Sequence, residues 1–225
     1  MGIYQRLAPK QACILCLEQA QFCVCPTCSK SFSNHPNRCQ SCAAAIGAQL
    51  DFCGQCLTHS PAFDRAHTLY DYQGDIAELI KIFKYDGKKL CIGDYFSRQL
   101  YDLYQTLPAY DAIIPMPLSK ERVKVRGFNQ VLELLRQIKR KTPTIIDIHS
   151  VKRIKATRQL FELNLEQRRA EIKGAFIANP MPYQKVLLVD DIITTGSSLN
   201  ELATTILKTT SVTHCDVMTL ARAIW

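Results

Sequence analysis

The sequence lacks the features that mark a membrane, secreted or repetitive protein. No apolar run approaches the roughly 18 residues that a membrane-spanning helix needs. The first residues, MGIYQRLAPKQACIL, hold no long apolar stretch of the kind found in a signal peptide. There is no low-complexity linker, and no internal repeat other than closely spaced cysteine pairs. We therefore expect a soluble, cytoplasmic protein, with enough apolar residues, 47% of the chain, to build a core.

Cysteine, by contrast, is abundant, and its spacing predicts metal sites rather than disulfides. Without an export signal, cysteines in close pairs are more often metal ligands than disulfide partners. Two intervening residues let a tight turn direct both thiolates at one cation, and zinc takes four such ligands tetrahedrally. Four CxxC pairs stand in the first quarter of the chain: Cys13 and Cys16, Cys25 and Cys28, Cys39 and Cys42, Cys53 and Cys56.

Eight paired cysteines predict two zinc sites, and the pairs can be shared in two ways. In the simplest assignment the first two pairs bind one zinc ion and the last two bind another. A crossed assignment uses the same residues. Cys23, two residues before Cys25, is a ninth thiol that could replace a ligand of its neighbouring pair. Metal binding would supply folding free energy that such a turn-rich segment lacks.

The positive charge of the chain is concentrated in one region. Between Leu118 and Lys173 there are fifteen Lys or Arg and six Asp or Glu, an excess of +9, whereas the whole chain carries +8. A basic surface of this kind is what a polyanion such as nucleic acid needs. The alternative is a surface that only keeps the protein soluble.

After Pro61 the pattern changes to alternating helices and strands. Strands that alternate with helices predict an open, mainly parallel α/β sheet with helices on both faces. Ser198 and Glu201 have the spacing of a capping box at the start of the last helix. We place a cysteine-rich domain at residues 1–60 and the α/β domain at residues 61–225. Helices are predicted at 75–86, 96–107, 130–140 and 198–208, and strands at 111–115, 144–148, 185–189 and 214–220.

The segment VLLVDDIITTGSS, residues 186–198, combines a buried strand with groups that bind a sugar phosphate. Asp190 and Asp191 follow the apolar run, at the end of the strand where ligands bind in open α/β sheets. The small, hydroxyl-rich loop that follows leads into a helix N-terminus, which favours an anion. The predicted roles are a ribose diol on the two acids and a phosphate on Thr194, Thr195, Gly196, Ser197 and Ser198.

Several other segments supply candidate contacts for a diphosphate or for DNA. Pro115, Met116 and Pro117 follow a predicted strand end, where they could hold an unusual backbone or form a plain turn. Lys84 and Tyr85 lie at the end of a predicted helix, before a glycine, and could line the same cleft or only cap that helix. The cationic candidates, which could equally be solvated, are Lys120, Arg122, Lys124, Arg126 and Arg158.

These motifs together resemble a known family. Residues 186–198 resemble the motif with which type I phosphoribosyltransferases bind PRPP (5-phosphoribosyl 1-diphosphate). The order of motifs along the chain is similar to that of the ComF family of competence proteins, known as ComFC or GntX-like. The order is the paired CxxC motifs, KYDGK at 84–88, PMP at 115–117, RGFNQ at 126–130, TRQL at 157–160, GAF at 174–176 and the PRPP motif.

The resemblance implies a fold, ligands and a role. The fold would be that of a type I phosphoribosyltransferase, preceded by a small zinc-ribbon domain. The implied ligands are zinc, and PRPP or a related sugar phosphate with Mg²⁺. The implied role is the handling of single-stranded DNA during natural transformation, with a DNA-uptake helicase or recombination proteins as candidate partners.

Two other functions are compatible with the same residues. The chain could be an active phosphoribosyltransferase that passes ribose 5-phosphate to a nitrogen nucleophile, or a regulator that responds to PRPP. No residue in the sequence is identifiable as a reader of an acceptor base, and fold alone does not choose among these functions.

Overall fold

The structure is a computed structural model that describes residues 11–85, 90–118, 129–155 and 165–224. Within these ranges, no helix is both long enough and apolar enough to cross a membrane. The strands in chain order are β1 (Gln11–Ala12), β2 (Gln19–Ala20), β3 (Ala66–Asp71), β4 (Ala112–Pro115), β5 (Ile145–Ile146), β6 (Val151–Arg153), β7 (Phe176–Ala178), β8 (Lys185–Ile193) and β9 (His214–Arg222). The helices are α1 (Pro26–Lys30), α2 (Gly54–Thr58), α3 (Gly74–Tyr85), α4 (Leu90–Tyr104), α5 (Gln130–Leu134), α6 (Arg136–Lys141), α7 (Leu165–Ile172) and α8 (Ser197–Thr209).

The central sheet has five strands in the order β3-β9-β8-β4-β5, and every neighbouring pair is parallel. Val186 to Val189 of β8 are all buried, as expected for a strand that is covered on both faces. The antiparallel pairs β1-β2 and β6-β7 form two separate small sheets.

Helices cover both faces of the sheet. From β4 the chain passes through α5 and α6 to β5 on one side, whereas from β8 it passes through α8 to β9 on the other. Right-handed crossovers in opposite directions place the helices on opposite faces. In agreement, α4 packs against α5 and α6, while α8 packs against α7 and β7. The predicted fold class is confirmed: a mainly parallel α/β sheet preceded by a cysteine-rich module.

The structure differs from the predicted elements at several points. Strand β3 was not predicted, because AHTLYD has neither the alternation nor the continuous apolar run of a strong strand. The predicted helix at 130–140 is divided at Leu135, which ends α5 and precedes α6. Strand β8 continues through the acidic pair to Ile193, four residues beyond the predicted end.

The predicted capping box of the last helix is wrong. Helix α8 begins one residue earlier than expected, after Gly196, which takes a left-handed conformation with φ 76°. Glycine adopts this conformation without the steric cost that a side chain brings. Glu201 does not reach back to the helix start; its carboxylate accepts a hydrogen bond of 2.7 Å from the backbone N–H of Gly174.

The cysteine-rich segment packs directly onto the sheet. Phe32 makes edge-to-face contacts with Tyr70 on β3 and Tyr95 on α4. Arg38 forms an ion pair of 2.6 Å with the buried Asp71 at the end of β3. The backbone N–H of Ala66 donates to the carbonyl of Ser41. The division into domains at residues 1–60 and 61–225 stays a prediction, and these contacts cross it.

Candidate functional site

The candidate site lies where the direction of the sheet connections reverses. Strands β4 and β8 are neighbours, but the chain leaves them towards opposite edges. Such a switch point opens a crevice at the carboxyl ends of the two strands, which is where open α/β sheets bind ligands. The backbone N–H of Met116 donates to the carbonyl of Val189 at 2.8 Å, so the turn after β4 lies beside the acidic end of β8.

The acidic pair ends β8 with one carboxylate more buried than the other. Asp191 is 7% exposed, and its Oδ2 lies 2.9 Å from the Nζ of Lys84. Asp190 is half-buried, and its Oδ1 accepts the backbone N–H of Asp191 at 2.8 Å. The crevice therefore combines two carboxylates with one lysine.

Lys84 comes from a helix that is distant in sequence, and a buried glutamine holds that helix end. Gln130 at the start of α5 donates from its side-chain amide to the carbonyl of Lys84 at 3.4 Å. Asn129 caps α5 by accepting the backbone N–H of Val131. Lys84 of the KYDGK motif and Gln130 of the RGFNQ motif are thus in contact beside the acidic pair. The position of Lys84 agrees with the expectation that it lines this cleft.

The loop of residues 194–198 turns sharply into α8. Gly196 is the residue before the helix, and its left-handed backbone makes the turn. The hydroxyls of Thr195 and Ser197 are 2.9 Å apart and bond to each other. Helix α8 has thirteen residues, so its N-terminal N–H groups and its dipole favour an anion at this loop.

A residue that sequence reasoning missed supports this loop from below. Arg222, at the end of β9, is 3% exposed. Its guanidinium donates to the carbonyls of Ile193 and Thr194 in the loop, and its Nε donates to the carbonyl of Cys42 at 3.1 Å. Among the described residues no carboxylate lies within ion-pair distance of it. Arg222 thus connects the cysteine-rich module to the candidate phosphate loop.

The other predicted contacts have different outcomes. Pro115 and Met116 are buried, so only their backbone or the partly exposed Pro117 could reach a ligand in the crevice. Lys120, Arg122, Lys124, Arg126 and Arg158 lie outside the residues that the structure describes, and their roles stay predictions.

The eight paired cysteines form two tetrads. Within each tetrad the four sulfur atoms lie within 4.8 Å of one another, and the members are Cys13, Cys16, Cys25 and Cys28 in the first and Cys39, Cys42, Cys53 and Cys56 in the second. The first two CxxC pairs therefore form one tetrad and the last two form the other, as in the sequential assignment. Cys23 belongs to neither tetrad.

The geometry of the tetrads fits zinc. Tetrahedral zinc with bonds of about 2.3 Å separates its sulfur ligands by about 3.8 Å. The sulfurs of Cys16 and Cys25 are 3.7 Å apart, and those of Cys42 and Cys53 are 3.6 Å apart. A disulfide would need about 2.05 Å. Each tetrad could therefore hold one zinc ion.

Backbone hydrogen bonds prepare one thiol of each tetrad for metal binding. Burial by itself raises the pKa of Cys13, but backbone hydrogen bonds from Cys16 and Cys25 outweigh it and lower the pKa to about 6. For Cys39, burial is likewise outweighed by backbone hydrogen bonds from Cys42 and Cys53, and the pKa falls to about 7. Because the thiolate is the metal ligand, these shifts favour binding.

A cavity of about 500 Å³ lies between the second tetrad and α8. One end is lined by Thr195, Gly196 and Ser197 of the candidate phosphate loop. The exposed Lys173 and Lys208 also line it, as does His59 from the end of α2. The crevice at the switch point and this cavity thus meet at the same loop.

The parallel sheet, the loop at its switch point and the two tetrads define a phosphoribosyltransferase-like α/β protein with a cysteine-rich module. Competence protein F of Haemophilus influenzae is 35% identical to the chain over 226 residues, which cover 94% of this chain and 96% of that protein. The chain belongs to the ComF family.

Other relatives carry similar names. The DNA utilization protein YhgH of Escherichia coli K12 is 29% identical over 208 residues, 87% of this chain and 90% of that protein. The competence protein ComFC of Bacillus subtilis is 24% identical over 203 residues, 89% of this chain and 78% of that protein. A comparison with models of protein families found none that matches the chain.

We expect the tetrads to hold two thiolate-bound zinc ions per chain. A thiol-reactive mercurial should release two equivalents from the native protein, because it displaces zinc from thiolates. Cys16→Ser should release one fewer, whereas Cys91→Ser, which changes a cysteine outside both tetrads, should release as many as the native chain. Zinc release that is equal in all three proteins would contradict the assignment.

Arg222→Gln should lower the free energy of unfolding by about 2–4 kcal/mol, because it leaves buried carbonyls without their charged donor. Amide hydrogen exchange at Gly196 and Ser197 should also become faster, since the loop loses its support. Arg140→Gln, which changes an exposed arginine on α6, is the control. Denaturant titration and exchange mass spectrometry measure both effects. An unchanged loop in Arg222→Gln would refute the supporting role.

Proposed function

We propose that the chain is a competence-associated protein that binds PRPP, or a related sugar phosphate, and handles single-stranded DNA. Its relatives are named as competence and DNA utilization proteins. A DNA-uptake helicase or recombination protein as its partner is part of this proposal.

One observation carries the ligand assignment: two carboxylates, a lysine and a helix N-terminus meet at the sheet's switch point. The hydroxyls of a ribose diol donate well to carboxylates such as Asp190 and Asp191. A phosphate suits the N–H groups and hydroxyls of residues 194–198. A sugar 5-phosphate satisfies both requirements at once, because its diol and its phosphate lie on opposite sides of the ring.

The position of the diphosphate follows from this orientation. With the 5-phosphate on the loop and the diol on the acidic pair, the diphosphate at C1 would lie near the groups that adjoin the acidic pair. These are Lys84, 2.9 Å from Asp191, and the turn after β4, where Met116 donates to Val189. A lysine next to a diphosphate offsets part of its charge. Mg²⁺ prefers carboxylate and phosphate oxygens, and the acidic pair offers oxygens of the required kind on the same side. Mg²⁺ would arrive with PRPP and help to neutralise the diphosphate.

The cavity beside the loop supports DNA handling more than base transfer. An acceptor base must reach C1, but the cavity adjoins Thr195–Ser197, the end that would bind the 5-phosphate. DNA has no 2-hydroxyl and therefore no diol for the acidic pair, so a strand would occupy the cavity beside the sugar-phosphate site and not that site itself. The exposed Lys173 and Lys208 that line the cavity suit a phosphate backbone.

Catalysis is the second candidate, and the same crevice motivates it. Lys84 next to the acidic pair is suited to stabilise a departing diphosphate. Release of diphosphate from PRPP, measured across a panel of bases and single-stranded DNA, separates the two functions. Release that depends on one acceptor favours a phosphoribosyltransferase, and DNA binding without release favours the handling role. A PRPP-responsive regulator would show ligand binding that changes a partner's affinity.

Removing one carboxylate should weaken PRPP binding by about 10- to 100-fold, the worth of a charge-assisted hydrogen bond. Asp190→Asn should do so with little loss of stability. Asp191→Asn should also lower the free energy of unfolding by about 1–3 kcal/mol, because it leaves the Lys84 ammonium half-buried and unpaired. Asp102→Asn, on the exposed side of α4, is the control. Calorimetry with Mg²⁺ and PRPP measures the affinity, and unaltered binding in both variants would defeat the site assignment.

Affinity for a single-stranded oligonucleotide should fall steeply with salt. Contacts with four phosphates predict a loss of about 50-fold between 50 and 200 mM salt. Lys173→Glu with Lys208→Glu should weaken binding and flatten this dependence. The matched control is Lys30→Glu with Lys81→Glu, which reverses two exposed lysines that do not line the cavity. Equal losses in both double variants would mean that the cavity is not the binding surface.

A further inference from the structure

A third cluster of metal-ligating side chains lies at the opposite end of the sheet from the candidate phosphate loop. His214 and Asp216 belong to the first residues of β9, and Asp64 precedes β3. One ligand atom from each of these three residues lies within 4.8 Å of the others. None of them takes part in the crevice, the cavity or the tetrads.

A second histidine, on the neighbouring strand, lies next to this cluster. His67 on β3 is paired in register with Met218 on β9. Because side chains alternate along a strand and registered neighbours share a face, His67 lies on the same face of the sheet as His214 and Asp216. The Nε2 of His67 is 3.8 Å from the Oδ2 of Asp216, and the Nε2 of His214 is 3.2 Å from the same oxygen.

The two distances to Asp216 are close to those between ligands that share one metal ion. Tetrahedral zinc with nitrogen and oxygen bonds of about 2.0–2.1 Å separates neighbouring ligand atoms by about 3.3–3.4 Å. The two observed separations lie on either side of this value.

The cluster leaves buried polar atoms without partners, which independently points to a ligand. Within the described part of the chain, the Nε2 of His67 and the Oδ1 of Asp216 are buried and have no hydrogen-bond partner. Asp216 is only 4% exposed. Buried polar atoms nearly always have a hydrogen-bond partner. Two unpartnered atoms next to each other therefore indicate a bound ion or water. A cation between the two histidines and Asp216 would engage the His67 nitrogen and a buried carboxylate together.

The groups around the cluster resemble the outer shell of a metal site. The Nδ1 of His214 lies 3.4 Å from the Oδ2 of Asp64, which would orient the ring for coordination through Nε2. The backbone N–H of Cys215 donates to that same Asp64 oxygen and holds it in place. Tyr110 donates to the Oδ2 of Asp216 at 2.6 Å. Metal-bound histidines commonly have such a carboxylate on their second nitrogen.

We propose that His67, His214 and Asp216 form a third metal site, for Zn²⁺ or a similar divalent transition metal, with Asp64 orienting His214. Imidazole and carboxylate ligands suit such ions, in contrast to the all-thiolate tetrads. The site would join the edge strand β3 to β9, the strand whose far end carries Arg222. The alternative is a metal-free cluster in which His214 bridges the two aspartates.

Cobalt distinguishes this site from the tetrads. The zinc-loaded chain is first passed over a weak chelator that leaves thiolate-bound zinc in place, and is then titrated with Co²⁺. The native chain should bind one equivalent and develop weak visible absorption without a thiolate-to-cobalt charge-transfer band. His67→Gln should bind at least tenfold more weakly, whereas His149→Gln, which changes an exposed histidine, should bind as the native chain does.

Stability provides a second readout that does not depend on spectra. Excess Co²⁺ should raise the melting temperature of the native chain and of His149→Gln, because it binds only the folded state. The shift should disappear in His67→Gln and in His214→Gln, provided that each melts cooperatively. No Co²⁺ bound by the native chain, or equal binding by His67→Gln, would overturn the proposal and leave the metal-free cluster.

Discussion

The buried guanidinium of Arg222 is the interaction that joins the cysteine-rich module to the candidate phosphate loop. It donates to the carbonyls of Ile193 and Thr194, where β8 passes into the candidate phosphate loop, and to the carbonyl of Cys42 in the second tetrad. A buried charge must be compensated, and here backbone carbonyls supply the partners. The conformation of the loop and the position of the tetrad are therefore coupled through one side chain.

This contact gives the cysteine-rich module a structural reason to be next to the sheet. A zinc ion bound by the four thiolates of the second tetrad would carry net negative charge, and Arg222 donates to the carbonyl of Cys42 in that tetrad. The same guanidinium lies beneath a loop that is suited to an anion. If both sites are filled as proposed, the positive charge between them would stabilise both, and loss of the metal would destabilise the loop.

Much of the fold and part of the candidate site could be predicted from sequence. Three features follow from local sequence patterns and are present in the structure. They are the strand before Asp190, the turn at Gly196 and the grouping of the paired cysteines into tetrads. Strand β3 and the start of α8 were not predicted correctly, because tertiary pairing and the left-handed Gly196 outweigh the local pattern there. Lys84 was only one candidate among several cations until its 2.9 Å contact with Asp191 placed it in the crevice.

The sequence by itself determined which chemical groups are available: thiolates in pairs, two acids after a buried strand, and a small hydroxyl-rich loop. These depend on neighbours within a few residues, where chain geometry leaves few arrangements. Only the tertiary structure decided that the tetrads are sequential, that Lys84 meets Asp191 and that Arg222 joins Cys42 to Thr194. The contacts of Lys84 with Asp191 and of Arg222 with Cys42 join segments that are more than a hundred residues apart. They depend on the order of strands in the sheet, which no local spacing encodes.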